Sequence, residues 1–185
     1  PTDEASRARE LHHTDFGLVQ LTGLPPRDGV AAQELLEEVP DLDIIVAPIG
    51  GGGLLSGTSL VVKYRYPHAK VYGAEPEGAA DARASLKSGQ LVPMTNPMTI
   101  ADGLRTSLSL RTLKIISENV DDIFLASDPE ILAAMHLVWE RMKIIVEPSS
   151  AVTLAVVLRN KALFKDKKVG LILSGGNVDL KKFKF

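Results

Sequence analysis

The 185-residue sequence has no cysteine. Disulfides, thiolate metal sites and a cysteine nucleophile are therefore excluded, which fits a reducing compartment. It also lacks charge of one sign. A net charge of −2 creates no field that would gather nucleic acid or an anionic membrane surface. No segment approaches the ~20 uninterrupted apolar residues of a membrane span, and the polar start Pro1-Thr2-Asp3-Glu4 has no signal-peptide core. These absences lead us to expect a soluble, cytoplasmic protein. No G-x-S-x-G elbow occurs, so a Ser-His-Asp triad has no support. The histidines are equally uninformative. His12 and His13 are adjacent, and neighbours on a helix diverge by ~100°, so they read as a polar surface pair; His136 falls off an apolar stripe and His68 follows a helix-ending proline.

What is present is an alternation of strand and helix patterns on a chain long enough for one substantial core. Asp43 to Ile49, Lys70 to Glu75 and Lys168 to Ser174 are short apolar runs ended by glycine or proline, and Asp122 to Ala126 is a further such run followed at once by a helix pattern, all reading as strands. Leu54 to Tyr66 carries helical spacing and stops before Pro67. Ser127 and Glu130 form a capping box ahead of the stripe Ile131, Leu132, Met135, Val138, Trp139 and Met142. Ala151 to Leu158 is apolar nearly all round and predicts a buried helix. Ala82 to Asn96 reads as loop or mixed structure, and Leu11 to Asp28 has no clear period. The fold class expected is α/β, a mostly parallel sheet with helices on both faces, whose ligands sit at the carboxyl ends of the strands.

The strand-like run Ile44-Ile45-Val46-Ala47-Pro48 leads into Ile49 and four successive glycines, Gly50 to Gly53, with a helix pattern following. Bare N–H groups at a strand end, beside the positive end of a helix dipole, make an anion site, and phosphate is its commonest occupant. No Lys-Ser/Thr pair follows, so this is not a P-loop. A second turn, Ser174-Gly175-Gly176-Asn177, closes the last strand. In a parallel sheet both turns open on one edge, with room for a small ligand between them.

Five stretches, I-G-G-G-G-L-L-S-G, G-A-E-P, T-I-A-D-G-L-R-T, W-E-R-M-K-I-I-V-E-P-S-S-A-V and L-S-G-G-N-V-D, together closely resemble the serine racemase and serine/threonine dehydratase family. Those enzymes have the tryptophan synthase β-like fold, fold type II of the pyridoxal 5′-phosphate (PLP) enzymes. The resemblance spans about Ala31 to Leu180. Pro1 to Arg7 is similar to a stretch that precedes this region in the family, whereas the segment up to Val30 matches poorly. By this resemblance, residues 1–26 would be the end of a small domain and its crossover, and 27–185 the large domain that binds the cofactor phosphate.

The resemblance implies roles residue by residue. Gly50, Gly51, Gly52, Gly53 and Leu54 would give backbone N–H groups to the cofactor phosphate. Gly103 would approach the cofactor ring through its backbone, with Asp102 structural. Ser174 would bond the pyridine nitrogen; a neutral hydroxyl there does not favour a protonated ring, a tuning that suits β-elimination. Glu75, the main-chain carbonyl of Ala79, and Asp81 would hold Mg²⁺, Mn²⁺ or Ca²⁺, oxygen ligation of the kind a hard ion prefers. A solvated acidic loop is the alternative. Glu147 would support the cofactor site from behind, and Lys143 and Asn177 sit where some family members bind ATP between subunits.

The family's Schiff-base lysine lies in a Ser-Phe-Lys-x-Arg-Gly-like motif that this sequence does not contain. The expectation is therefore the carboxyl-terminal portion of a PLP-dependent L-serine/L-threonine dehydratase or serine racemase, inactive alone, needing the amino-terminal part of the enzyme and forming a homodimer that acts on a small amino acid. A hydroxyaspartate dehydratase or racemase is the alternative within the family. Outside it stand a noncatalytic phosphate-binding fragment and a flavodoxin-like domain for nucleotide or flavin. The few residues after the last motif leave no expectation of a regulatory domain there.

Overall fold

The computed structural model describes residues 29–183. The readings made for 1–26, the unpatterned Leu11 to Asp28 stretch and the His12-His13 pair fall outside the described residues. In chain order the elements are α1 Val30–Glu38, β1 Ile44–Pro48, α2 Gly53–Arg65, β2 Lys70–Pro76, α3 Asp81–Ser88, α4 Leu110–Asn119, β3 Asp122–Ala126, α5 Asp128–Met142, α6 Pro148–Arg159, α7 Lys161–Phe164 and β4 Val169–Leu171. Short 3₁₀ turns cover Glu77–Ala79 and Asp102–Leu104.

The four strands form one all-parallel sheet in the order β3-β2-β1-β4. In register, Ile44 lies opposite Lys70 on one side and Val169 on the other, and Pro48 opposite Ala74. Every residue of β1 is buried, as expected of a central parallel strand covered on both faces. Its side chains divide by alternation. Ile45 and Ala47 join Val71 and Ile123 under Leu35 and Leu36 of α1, Leu55 and Val62 of α2, and Leu113 and Ile116 of α4. Ile44 and Val46 join Tyr72, Ala74 and Ala126 on the other face, against Ile131, Met135 and Val138 of α5 and the buried face of α6. The expected two-faced α/β layering is present. Among the described residues no helix is long and apolar enough to cross a membrane.

Three details correct the sequence reading. The last strand ends at Leu171, well before Ser174. Ile172 N–H still reaches Val46 O at 3.0 Å, but the backbone of Gly175 is bonded to Ser150 of α6, so the chain leaves the sheet. Asp81 to Ser88, most of it within the stretch read as loop or mixed, is helical, because its first N–H groups are capped from outside: Glu75 accepts from Ala82 at 2.8 Å and Arg83 at 3.0 Å. α1 and α4 went unassigned. α4 carries a reciprocal cap between Ser109 and Thr112, a variant of the Ser-x-x-Glu box in which a hydroxyl replaces the carboxylate.

The predicted cap on α5 is formed. Glu130 Oε2 accepts from Ser127 N–H at 2.8 Å and from the Ser127 hydroxyl at 2.7 Å. Those bonds, the backbone one first, with Arg159 3.2 Å away, hold its carboxyl below the ordinary glutamate value. A carboxylate lowered on folding stabilises above its ordinary range and loses that contribution as pH falls. Glu130→Gln should therefore cost about 0.5–1 kcal/mol at pH 7, the usual worth of an anion at a helix N-terminus. In urea melts the gap should close at acid pH; a gap independent of pH would contradict the assignment.

Candidate cofactor and metal site

β1 ends at Pro48, and after Ile49 four glycines follow, the last of them, Gly53, being the first residue of α2. Ile49 N–H is spent on Ala74 O, and the first helical bond of α2 runs from Ser56 N–H to Gly52 O. Between them, the N–H groups of Gly50, Gly51, Gly52, Gly53 and Leu54 donate to no acceptor among the described residues. A helix cannot bond its own first N–H groups, and here no side chain substitutes. The result is an extended run of unpaired donors at the positive end of a helix of 13 residues.

The protein itself explains part of the glycine run. Gly52 adopts φ 83° as the cap of α2, and a Cβ there would lie 2.6 Å from a Leu108 methyl and 3.0 Å from Thr112 Cβ. Its lack of a side chain is thus required by the packing of α4. A Cβ on Gly50 would meet Thr106 Oγ1 at 2.8 Å, whereas one on Gly51 would have 3.7 Å of clearance. Gly51 is exposed, and Gly50, Gly53 and Leu54 are half-buried.

The partner turn stands on the same edge. β4 runs parallel beside β1, so Ser174 leaves the sheet on the side where the glycines do. Ser174 is exposed, and its hydroxyl bonds to no described residue. Glu147 lies between this turn and that of Gly103. Its Oε2 accepts from Asn177 N–H at 3.0 Å, and its Oε1 would be 2.9 Å from a Cβ on Gly175 and 3.7 Å from one on Gly103. Burial pushes its carboxyl up, the Asn177 N–H opposes this, and Asp102 adds a smaller push upward. The Gly103 turn is held from two sides. Asp128 accepts from the Thr99 hydroxyl at 2.6 Å and Ile100 N–H at 3.0 Å, and Gly103 N–H donates to Ser149 Oγ at 3.1 Å. Asp102 is exposed in this turn.

Glu75 at the end of β2 and Asp81 at the start of α3 occupy the same edge and are 1% and 6% exposed. That burial does not fit a solvated loop at these two carboxylates, while Glu77 between them is exposed. Burial pushes Glu75 up to about 8 against the two N–H bonds it receives, with Asp81 adding repulsion. Asp81 is raised by burial too, and nearby backbone N–H groups only partly offset this. Asp81 Oδ2 is buried without a partner, and among the described residues no donor bonds the carbonyl of Ala79. A buried orphan carboxylate oxygen, an idle carbonyl and a second carboxylate make a donor set suited to a hard divalent cation.

Among the described residues no lysine side chain is hydrogen-bonded to the glycine run or to the Ser174 turn, and Lys63, Lys70, Lys87, Lys114, Lys143, Lys161 and Lys165 are all exposed. Lys143 ends α5 with φ 60°, and the linker it opens packs on the Ser174 turn, since a Cβ on Gly176 would lie 2.5 Å from Ile145 O. Lys143 and the exposed Asn177 thus sit on neighbouring segments. Sequence reasoning missed Thr106, Ser149, Ser150 and Asp128. The first three lie within the motifs T-I-A-D-G-L-R-T and E-P-S-S, where Asp102, Gly103 and Glu147 carry the expected roles.

A glycine run at a helix start is faced by a serine turn on one parallel edge, and comparison with known proteins names the class to which the chain belongs. The profile of the pyridoxal-phosphate dependent enzymes matches residues 28–175, and the chain belongs to that family. It is 54% identical over 158 residues to a serine racemase of Dictyostelium discoideum, covering 82% of this chain and 48% of the relative. To an L-threo-3-hydroxyaspartate ammonia-lyase of Saccharomyces cerevisiae it is 47% identical over 169 residues, covering 86% and 52%. The crystal structure of the Dictyostelium racemase superposes with a TM-score of 0.75 over 82% of this chain and 49% of the racemase chain, and that of maize serine racemase with 0.79 at 42% identity over 83% and 49%. The fold is that of type II PLP enzymes, which sets aside the flavodoxin-like alternative. The chain spans about half the length of these relatives.

Proposed function

We propose that this chain is the cofactor-phosphate portion of a PLP-dependent dehydratase or racemase of small β-hydroxy amino acids, with serine or threonine as substrate and 3-hydroxyaspartate as the alternative. Its relatives include serine racemases and hydroxyaspartate ammonia-lyases. The observation that carries the reading is the unbroken set of unpaired N–H groups from Gly50 to Leu54 on the edge where Ser174 emerges.

Gly50, Gly51, Gly52, Gly53 and Leu54 would hold the phosphate by backbone donors and the dipole of α2, with no side-chain charge required. Ser174 would meet the pyridine nitrogen with a neutral hydroxyl, which leaves that nitrogen without a proton. Gly103 would present bare backbone to the ring. When bound, PLP supplies the electron sink that makes the Cα proton of an amino acid removable. The sequence contains no Schiff-base lysine motif to take that proton, so the chemistry would belong to the complete enzyme and this chain alone should show no turnover. A cytoplasmic location, homodimerisation and an ATP contact through Lys143 and Asn177 are parts of the same proposal.

Gly51→Asp tests the cup directly. Position 51 has room for a side chain, so folding should survive, while a fixed anion among the donors should weaken inorganic phosphate binding about 100-fold, from ~3 kcal/mol of repulsion in a partly buried site. Gly51→Ala should bind nearly as the unaltered chain does. Equal affinity in the Asp variant would contradict the assignment.

Glu75, Ala79 and Asp81 would hold Mg²⁺, Mn²⁺ or Ca²⁺, which would neutralise two buried carboxylates and brace the end of β2 against α3. Mg²⁺ at a hundredfold excess over its Kd should stabilise the chain by about 2.7 kcal/mol. Asp81→Asn should abolish that response. A melting temperature indifferent to divalent cations in the unaltered chain would exclude the site.

A further inference from the structure

Both turns that face the ring position are bonded to consecutive side chains in the first turn of α6. Ser149 Oγ accepts from Gly103 N–H at 3.1 Å. Ser150 Oγ accepts from Gly175 N–H at 2.7 Å and donates to Gly175 O at 2.8 Å, so one hydroxyl closes both backbone groups of the residue after Ser174. Glu147 N–H adds a bond to Gly175 O at 3.1 Å. α6 is itself fixed, since every residue from Pro148 to Val156 is buried.

Neither hydroxyl is available to a ligand. Ser149 is 3% exposed and Ser150 0%. Their effect must pass through the two turns. Consecutive Cα atoms are ~3.8 Å apart, so the helix start fixes where the Gly103 backbone and the Ser174 hydroxyl stand relative to each other. The contacts are tight: a Cβ on Gly103 would lie 3.0 Å from Ser149 Oγ, and one on Gly175 2.9 Å from Glu147 Oε1. Neither turn has room for a side chain there.

We infer that Ser149 and Ser150 are positioning residues that set the width of the slot between the Gly103 turn and the Ser174 turn, and hence the fit of a flat pyridine ring. This inference rests on the cofactor reading above, but it concerns the ring and leaves the phosphate cup untouched.

The two parts of the ligand can be separated. 4′-Deoxypyridoxine 5′-phosphate carries ring and phosphate but no aldehyde, so it cannot condense with surface lysines, and inorganic phosphate reports the cup alone. In the 185-residue chain, Ser149→Ala and Ser150→Ala should each weaken deoxypyridoxine phosphate about tenfold, one hydrogen bond's worth, while changing phosphate affinity by less than about twofold. Equal loss of both ligands, or loss of neither, overturns the inference. An unaltered chain that binds phosphate no less tightly than deoxypyridoxine phosphate overturns the slot and leaves the cup standing; one that binds neither sinks the cofactor reading and the slot with it. A second measurement needs no variant. Amide exchange at Gly103 and Gly175 should slow further with deoxypyridoxine phosphate than with phosphate, and equal exchange under the two ligands also overturns the inference.

Discussion

A helix leaves its first N–H groups without acceptors in its own backbone, and most helices recruit a side chain or water to satisfy them. In this chain α2 recruits no side chain. Its cap is a glycine in the left-handed region, the residues before it are glycines, and nothing among the described residues accepts from the five donors that follow Ile49. The rest of the site depends on that choice. β1 and β4 run parallel as neighbours, so the serine turn must emerge beside the donors, and the buried start of α6 is where that turn and the Gly103 turn are tied down.

The same edge collects groups that are costly to bury. Glu75 and Asp81 lie under the loop that joins β2 to α3, and burial raises the pKa of both. Glu75 does local structural duty by capping α3, whereas Asp81 keeps an oxygen without a partner. A folded chain retains such an orphan at a stability cost of about 1–3 kcal/mol, unless a ligand relieves it. Glu147 shows a milder case. It is half-buried with one oxygen bonded to Asn177, which places a carboxyl of raised pKa between the Gly103 and Ser174 turns.

Much of this was legible in the residues. β1 and β2 were readable because a parallel strand buried on both faces is an apolar run with hard stops at glycine or proline, and β3, an edge strand, because a capped helix follows it at once. α5 was readable because its cap and stripe are both local. What escaped the reading was set by contacts distant in sequence. α3 is capped by a glutamate on the preceding strand, and β4 is cut short because α6 holds Gly175. The packing reason for Gly52 came from Leu108 and Thr112, far along the chain. Among the candidate site residues, the glycine run suggested an anion site by its place between strand and helix, whereas the role of Ser174 came only through the family resemblance. Ser149, Ser150 and Asp128 are ordinary helix-start residues in any sequence, and only the fold shows which turns they hold.

The central claim is that a phosphate ester is bound by backbone alone at the start of α2. Titrating the isotope-labelled chain with inorganic phosphate while following its backbone amide resonances tests this most directly. The account predicts saturable shifts concentrated at Gly50, Gly51, Gly52, Gly53 and Leu54. Shifts scattered over the exposed lysines, with those five amides unmoved, would contradict it.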